Sequence, residues 1–229
     1  MKTYNLKQSA AWAALKYVTP GSIVGIGSGT TVNYFISALS TIKNQIEGTV
    51  SSSNDSTNKL KSLNIPVFSC NDVESIPIYV DSADEINKHL ELIKGRGGAL
   101  TQEKVISEVS KQFICIADYT KLVNILGRKN PLPIEVIPMA RSYIGREVVK
   151  LGGMPKYRTG IITENGNIII DIYNLCIVNP LEIEEKINML SGVVTVGLFA
   201  RRSADIALIS TLQGVNVIHK NKKVIEEKN

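Results

Sequence analysis

The 229-residue chain has few of the residues that most often carry chemistry: three cysteines, two histidines and one tryptophan. Cys70, Cys115 and Cys176 are odd in number and far apart. No pair has C-x-x-C spacing, which argues against a structural zinc site. Cys115 lies in the apolar run FICIAD and reads as a buried thiol in a strand. His89 and His219 have no partner at a recognisable spacing, so both read as structural, and neither a Ser–His triad nor a Cys–His pair is present. No apolar run approaches the roughly 20 residues of a membrane-spanning helix. The first 18 residues, MKTYNLKQSAAWAALKYV, carry no sustained apolar block and no cleavage site. They read as an amphipathic helix of a cytoplasmic protein, not as a signal peptide.

What is present is ordinary for a globular domain: 44% hydrophobic and 21% charged residues, with a net charge of +5. A basic balance could indicate nucleic acid, but no basic block is interleaved with aromatics. The densest basic run, HKNKKVIEEKN at 219–229, carries two glutamates and reads as a solvated tail. A small anionic substrate accounts for part of the lysine excess, and neither a nucleic-acid nor a membrane partner is expected.

Hydrophobic periodicity predicts a helix over 6–18, a strand over 22–26 and a helix from the next turn to Leu39. Strands follow at GTVSSS, IPVFS and IPIYVD, with a helix over 54–64. HLELIKGRGGAL reads as a strand entering a glycine-rich loop, and TQEKVISEVSKQ as a helix with Thr101 as N-cap. FICIAD is a further strand. Alternating strands and helices indicate an α/β protein with a mainly parallel sheet covered on both faces. After the prolines of 127–138 the order becomes strand (132–137), helix (139–151), strand (157–163), strand (167–173), helix (180–190), strand (193–199). Asn165-Gly166 between the middle strands predicts a type I′ hairpin. This β-α-β-β-α-β order is the ferredoxin-like split motif. The expected organisation is 1–128 plus 205–229 as one domain and 129–204 as a smaller α+β domain, with ADIALIS and GVNVIH rejoining the first sheet.

The stretch GIGSGTT, residues 25–31, sits between a strand and a helix, where backbone N–H groups and a helix N-terminus suit an anion. Ser28, Thr30 and Thr31 add hydroxyls. The dinucleotide fingerprint fails because Thr30 stands at its last glycine position, and no lysine follows to make a nucleotide P-loop. A small phosphate fits better. Asp81 and Asp84 lie just beyond a strand, as paired acids for proton transfer or metal binding, or simply as turn caps. Lys94 opens the second glycine loop, and Glu103 falls in the first turn of the next helix, where a glutamate also suits the helix dipole. Together these residues suit proton transfer on a phosphorylated small molecule without a redox cofactor.

The motifs GIGSGTT, VSSS, DSADEIN, KGRGGALTQEK and FICIADYTK, in that order and spacing, resemble type A ribose-5-phosphate isomerase, as do LPIEVIPMA and GVVTVGLFA. The resemblance spans essentially the whole chain. It implies a Rossmann-like main domain, interconversion of ribose 5-phosphate and ribulose 5-phosphate, no metal or organic cofactor, and a homodimer or tetramer. By the same resemblance Glu103 is the base, with Asp81, Asp84 and Lys94 as active-site partners. Lys7, Ser28, Gly29, Thr30, Thr31 and Lys121 would hold the sugar phosphate, with Ser82, Ala83, Gly95, Arg96 and Gly97 also against the substrate. The side chain of Arg96 is expected to point away from it, leaving the N–H groups of 95–98 for an oxyanion. The alternative is a sugar-phosphate sensor, which would need the phosphate loop but not Glu103.

Overall fold

The computed structural model describes residues 5–220, so most of the basic tail read above as solvated lies outside the described residues. The chain opens with α1 (Leu6–Ala13), extended by a 3-10 turn to Tyr17, then β1 (Ile23–Ile26), α2 (Thr30–Leu39), β2 (Gly48–Ser51), α3 (Asn54–Ser62) and β3 (Ile76–Asp81). Two short strands, β4 (Glu85–Ile86) and β5 (Leu92–Ile93), precede α4 (Leu100–Val109) and β6 (Ser110–Asp118). Next come β7 (Leu132–Val136), α5 (Arg141–Lys150), β8 (Met154–Tyr157), β9 (Ile168–Tyr173), α6 (Pro180–Asn188) and β10 (Val193–Val196). The last strands are β11 (Leu198–Phe199), β12 (Ile206–Thr211) and β13 (Gly214–His219).

Six strands form one sheet in the order β13-β12-β6-β3-β1-β2, parallel except for β13, which pairs antiparallel with β12. Alternation along β6 explains its unbroken apolar run. Ile114 and Ile116 pack under α1 and α2 with Val24, Ile26 and Phe35, whereas Phe113, Cys115 and Ala117 face the opposite core with Tyr79 and Phe199. A sheet covered on both faces needs apolar side chains at both parities. Cys115 is buried, as expected from its strand.

A second sheet, β10-β7-β9-β8, is antiparallel throughout and packs its apolar face on α5 and α6. This is the strand order of the split β-α-β-β-α-β motif. A three-stranded ribbon, β11-β5-β4, carries the chain from β3 to α4.

Several local expectations fail. IPVFS makes a single bridge, Thr49 to Val67, and no strand. The strand expected over 157–163 lies earlier, at Met154–Tyr157, and 193–199 divides into β10 and β11. The turn at 163–166 is not type I′, because only Gly166 has positive φ, +78°. Instead Gly166 N–H bonds Thr163 O at 2.9 Å and Thr163 N–H bonds Asn167 O at 2.9 Å, giving a three-residue loop closed by a left-handed glycine. Thr101 is not an N-cap. The helix starts at Leu100 without a side-chain cap, and the Thr101 hydroxyl bonds elsewhere.

Candidate active site

The chain reverses direction across the large sheet between β1 and β3, and in such sheets ligands bind beyond the carboxyl ends of the strands at that point. A cavity of about 410 Å³ opens there. Its walls include Lys7, Ser28, Gly29, Thr30 and Thr31 on one side and Lys94, Gly95, Arg96, Gly97 and Glu103 on the other. Ser82, Ala83, Asp84 and Lys121 complete it. Of the residues expected to act on or hold the substrate, all but Asp81 and Gly98 lie on this wall, and Asp81 is fully buried behind Lys94.

The first loop is shaped by close approach. A Cβ on Gly27 would sit 1.9 Å from Asp81 Cγ, so only glycine lets the strand end pass over the aspartate. Gly29, at φ +92°, turns the chain into α2. The first backbone N–H groups of α2 have no intrahelical partner and meet the cavity with the Thr30 and Thr31 hydroxyls. Lys7 Nζ donates to Thr30 Oγ1 at 3.0 Å, adding a positive charge to the same corner.

Behind this loop lies a buried charge cluster. Lys94 Nζ is 2.7 Å from Asp81 Oδ2 and 3.3 Å from Glu103 Oε2, and it donates to Ser82 O at 2.7 Å. Asp81 is saturated. Its Oδ1 accepts from the N–H groups of Ser28 and Ser82 at 3.1 and 2.6 Å, and its Oδ2 also accepts from the Tyr79 hydroxyl. Glu103 is not. Ser28 Oγ donates to its Oε1 at 2.6 Å, but among the described residues its buried Oε2 has no hydrogen-bond partner. Burial pushes the Glu103 carboxyl up to about 7, against the pull of Lys94 and with a further push from Asp81. For Lys94, burial favours the neutral amine, but Asp81 and Glu103 outweigh it and hold the ammonium above its ordinary range. Tyr79 is driven well upward by burial and by the two carboxylates, so it stays a hydroxyl donor.

Asp84 differs from Asp81 in standing on the cavity wall. Burial raises its carboxyl, opposed by Lys94 and by the Arg96 N–H, which donates to its Oδ2 at 3.1 Å. That contact corrects one expectation about the second loop. The Arg96 N–H serves Asp84 and the Gly98 N–H serves Gly95 O at 3.0 Å, so only Gly95 and Gly97 of this loop have N–H groups not engaged within it. Arg96 itself is exposed and forms part of the cavity wall. Arg158, from the chain after β8, grips this loop by donating to Gly95 O and Arg96 O at 3.1 and 3.0 Å while paired with Asp171.

Two of these groups went unnoticed in the sequence. Tyr79 precedes Asp81 by two positions in β3, so strand periodicity puts them on one face. Arg158 had no local signal. Among the described residues, no group of three or more His, Cys, Asp or Glu side chains is placed to hold a metal ion.

The sequence matches the profile of ribose 5-phosphate isomerase A (phosphoriboisomerase A) over residues 48–214. It is 61% identical over 222 residues to ribose-5-phosphate isomerase A of Buchnera aphidicola subsp. Acyrthosiphon pisum, covering 97% of this chain and 99% of that protein. The fold is similar to the crystal structure of ribose 5 phosphate isomerase A from Neisseria gonorrhoeae, with a TM-score of 0.92, 42% identity and coverage of 95% and 97% of the two chains. A D-ribose-5-phosphate isomerase solved in complex with phospho-erythronic acid gives a TM-score of 0.90 at 37% identity, over 96% of this chain and all (100%) of that one.

Proposed function

The chain belongs to the ribose 5-phosphate isomerase A family and interconverts ribose 5-phosphate and ribulose 5-phosphate, and we propose that Glu103 is the base that carries the proton. The reaction moves one proton between C2 and C1 of the sugar through a cis-enediol(ate). The observation that supports this role is the Glu103 Oε2 on the cavity wall, which accepts no hydrogen bond among the described residues and faces the buried Lys94 ammonium at 3.3 Å. A carboxyl raised to about 7 accepts a proton more readily than an ordinary glutamate at the same pH.

The other roles follow from position. The phosphate occupies the corner made by Lys7, the N-terminus of α2 and Lys121, which fixes the reacting carbons near Glu103. Ser28 belongs to that corner and bonds Glu103, so anchor and base are one side chain apart. Lys94 and the free N–H groups of the second loop stabilise the developing oxyanion; in the best-studied case one such donor contributes about 3 kcal/mol. Ring opening falls to Asp84, because Asp81 has no oxygen free and serves to hold Lys94. The phosphate and carboxylate of phospho-erythronic acid, bound by a solved relative, match the two anionic ends of an enediolate phosphate.

The test is conversion of ribose 5-phosphate in heavy water by chelator-treated protein, followed by NMR, with Glu103→Gln alongside. The expected result is ketose carrying deuterium at the transferred position with the wild type and no conversion with the variant. Binding without conversion by the wild type would favour the sensor reading.

The chain is further read as a cytoplasmic homodimer or tetramer of two domains, 1–128 with 205–229 and 129–204. Support for assembly comes from apolar side chains left in solvent on the small-sheet side, led by Met139 and Met189 at 94% and 85% exposure. Light scattering on the protein and on Met139→Glu tests it.

A further inference from the structure

The first turn of α4 is gripped on both sides of Glu103 by the small sheet, its β8–β9 turn and helix α6. Thr101 Oγ1 donates to Glu135 Oε2 at 2.5 Å. It also lies 2.8 Å from Thr195 Oγ1, which must donate to it because the single Thr101 hydroxyl hydrogen is committed to the carboxylate. Gln102 Nε2 donates to Asn165 Oδ1 at 2.8 Å, and Lys104 Nζ pairs with Glu184 at 2.5 Å. At the centre stands Glu135, on β7 and 0% exposed. Its Oε1 accepts from Thr163 Oγ1, Asn165 Nδ2 and Asn167 Nδ2 at 2.8, 3.0 and 2.8 Å. All its hydrogen-bond donors are neutral, and it does not line the substrate cavity.

A carboxylate buried among neutral donors is costly unless each lone pair is met. Here the donors come from α4 and from the turn between β8 and β9, so the carboxylate is met only when these elements stand in one arrangement. The residue tied by the hydroxyl bond, Thr101, lies two positions before Glu103. The backbone that carries Glu103 is thus indexed by hydrogen bonds to the small sheet as well as packed, through Ile106, on the large sheet.

We propose that Glu135 is a positioning residue for the isomerase reaction: through Thr101 it sets the depth and rotation of the first turn of α4, and so holds the Glu103 carboxylate between Ser28 and Lys94. This rests on the assignment of Glu103 as base.

The test measures kcat and KM for ribose 5-phosphate in Thr101→Val, Thr101→Ser and Glu135→Gln, at a temperature where circular dichroism finds each folded. Valine keeps the shape of threonine and removes the hydroxyl. Thr101→Val is expected to lose on the order of tenfold to a hundredfold in kcat with KM within about twofold, the signature of a misplaced group that acts only in the transition state. Thr101→Ser restores the hydroxyl and kcat. Glu135→Gln keeps an acceptor for the three Oε1 donors and lets Thr101 turn its hydrogen to Thr195, so it stays within a few-fold of wild type. Wild-type kcat in Thr101→Val overturns the proposal, whatever its melting temperature, as does a loss confined to KM or shared equally by the serine variant. Glu103→Gln in the same series separates the two readings. If it keeps turnover, the base assignment has failed; if it is inactive while Thr101→Val is fully active, only the positioning role has failed.

Discussion

Two buried glutamates of this protein are served very differently. Glu85, on β4, anchors the loop after β6: its Oε1 accepts from the N–H groups of Lys129 and Asn130 at 2.8 and 2.6 Å, and its Oε2 from the Gly127 N–H at 2.7 Å. Glu103, on α4, has one oxygen bonded by Ser28 and one with no hydrogen-bond partner, facing a lysine. Both are almost excluded from solvent, at 0% and 3% exposure. Burial therefore does not distinguish this structural carboxylate from the one proposed as the base. The open hydrogen-bonding position does: a saturated carboxylate has nothing left to offer a substrate, whereas an undersaturated one is held ready for a proton.

The sharpest way to break this contrast is to neutralise each in turn. Glu103→Gln is expected to lower turnover by about 10²–10⁴-fold or more, while ribose 5-phosphate still binds, measured by a coupled ketose assay and by calorimetry. Gly27→Ala comes next. Its Cβ cannot coexist with Asp81, so Asp81 must withdraw from Lys94, and kcat should fall on the order of a hundredfold without a change in the base itself. Protonation does the same to Glu103 reversibly. With Glu103 as the proposed base, which works ionised, kcat should rise about tenfold per pH unit below the titration and level off above about 7, in a profile absent from Glu103→Gln. Stability responds with the opposite sense. The folded carboxyl holds its proton to a higher pH than the unfolded one, at 4.5, so this group's contribution to stability falls as pH rises from about 4.5 to 7, as urea titrations would reveal. The smallest effect on turnover belongs to Glu85→Gln. Its amide would face a backbone N–H, costing about 1–3 kcal/mol of stability and leaving kcat at 25 °C unchanged.

Much of the cavity was legible in sequence because its residues sit at punctuated places: strand ends, glycine turns and a helix start. Asp81, Lys94 and Glu103 each follow or open such a place, and the two loops carry them by local spacing alone. The residues that hold them had no such signal. Glu135 reads as one polar residue in an apolar strand, and its partners lie 28 to 34 positions away in either direction. Arg158 reaches the second loop across 63 positions. Thr101 looked like a cap because threonine before a helical pattern normally is one, and a distant carboxylate claimed its hydroxyl. IPVFS has strand composition, but the large sheet already ends at β2 and offers it one bridge. At the 163–166 turn, Asn-Gly predicted the right reversal in the wrong geometry, because Asn165 uses its side chain on Glu135 and Gln102.

The strand order has a consequence for how the molecule assembles itself. β6 and β12 lie side by side in parallel, Ile114 beside Ile206, about 90 residues apart in the chain. That seam has a high loop-closure entropy while the intervening chain is extended, and far less once β7 to β10 have collapsed around their own core. The four antiparallel strands then acquire order before that seam closes. In refolding followed by pulse-labelled hydrogen exchange, the amides of β7 and β9 should gain protection before those of β12. That seam, with the edge strand β13 that pairs only with β12, would be among the last parts of the large sheet to form.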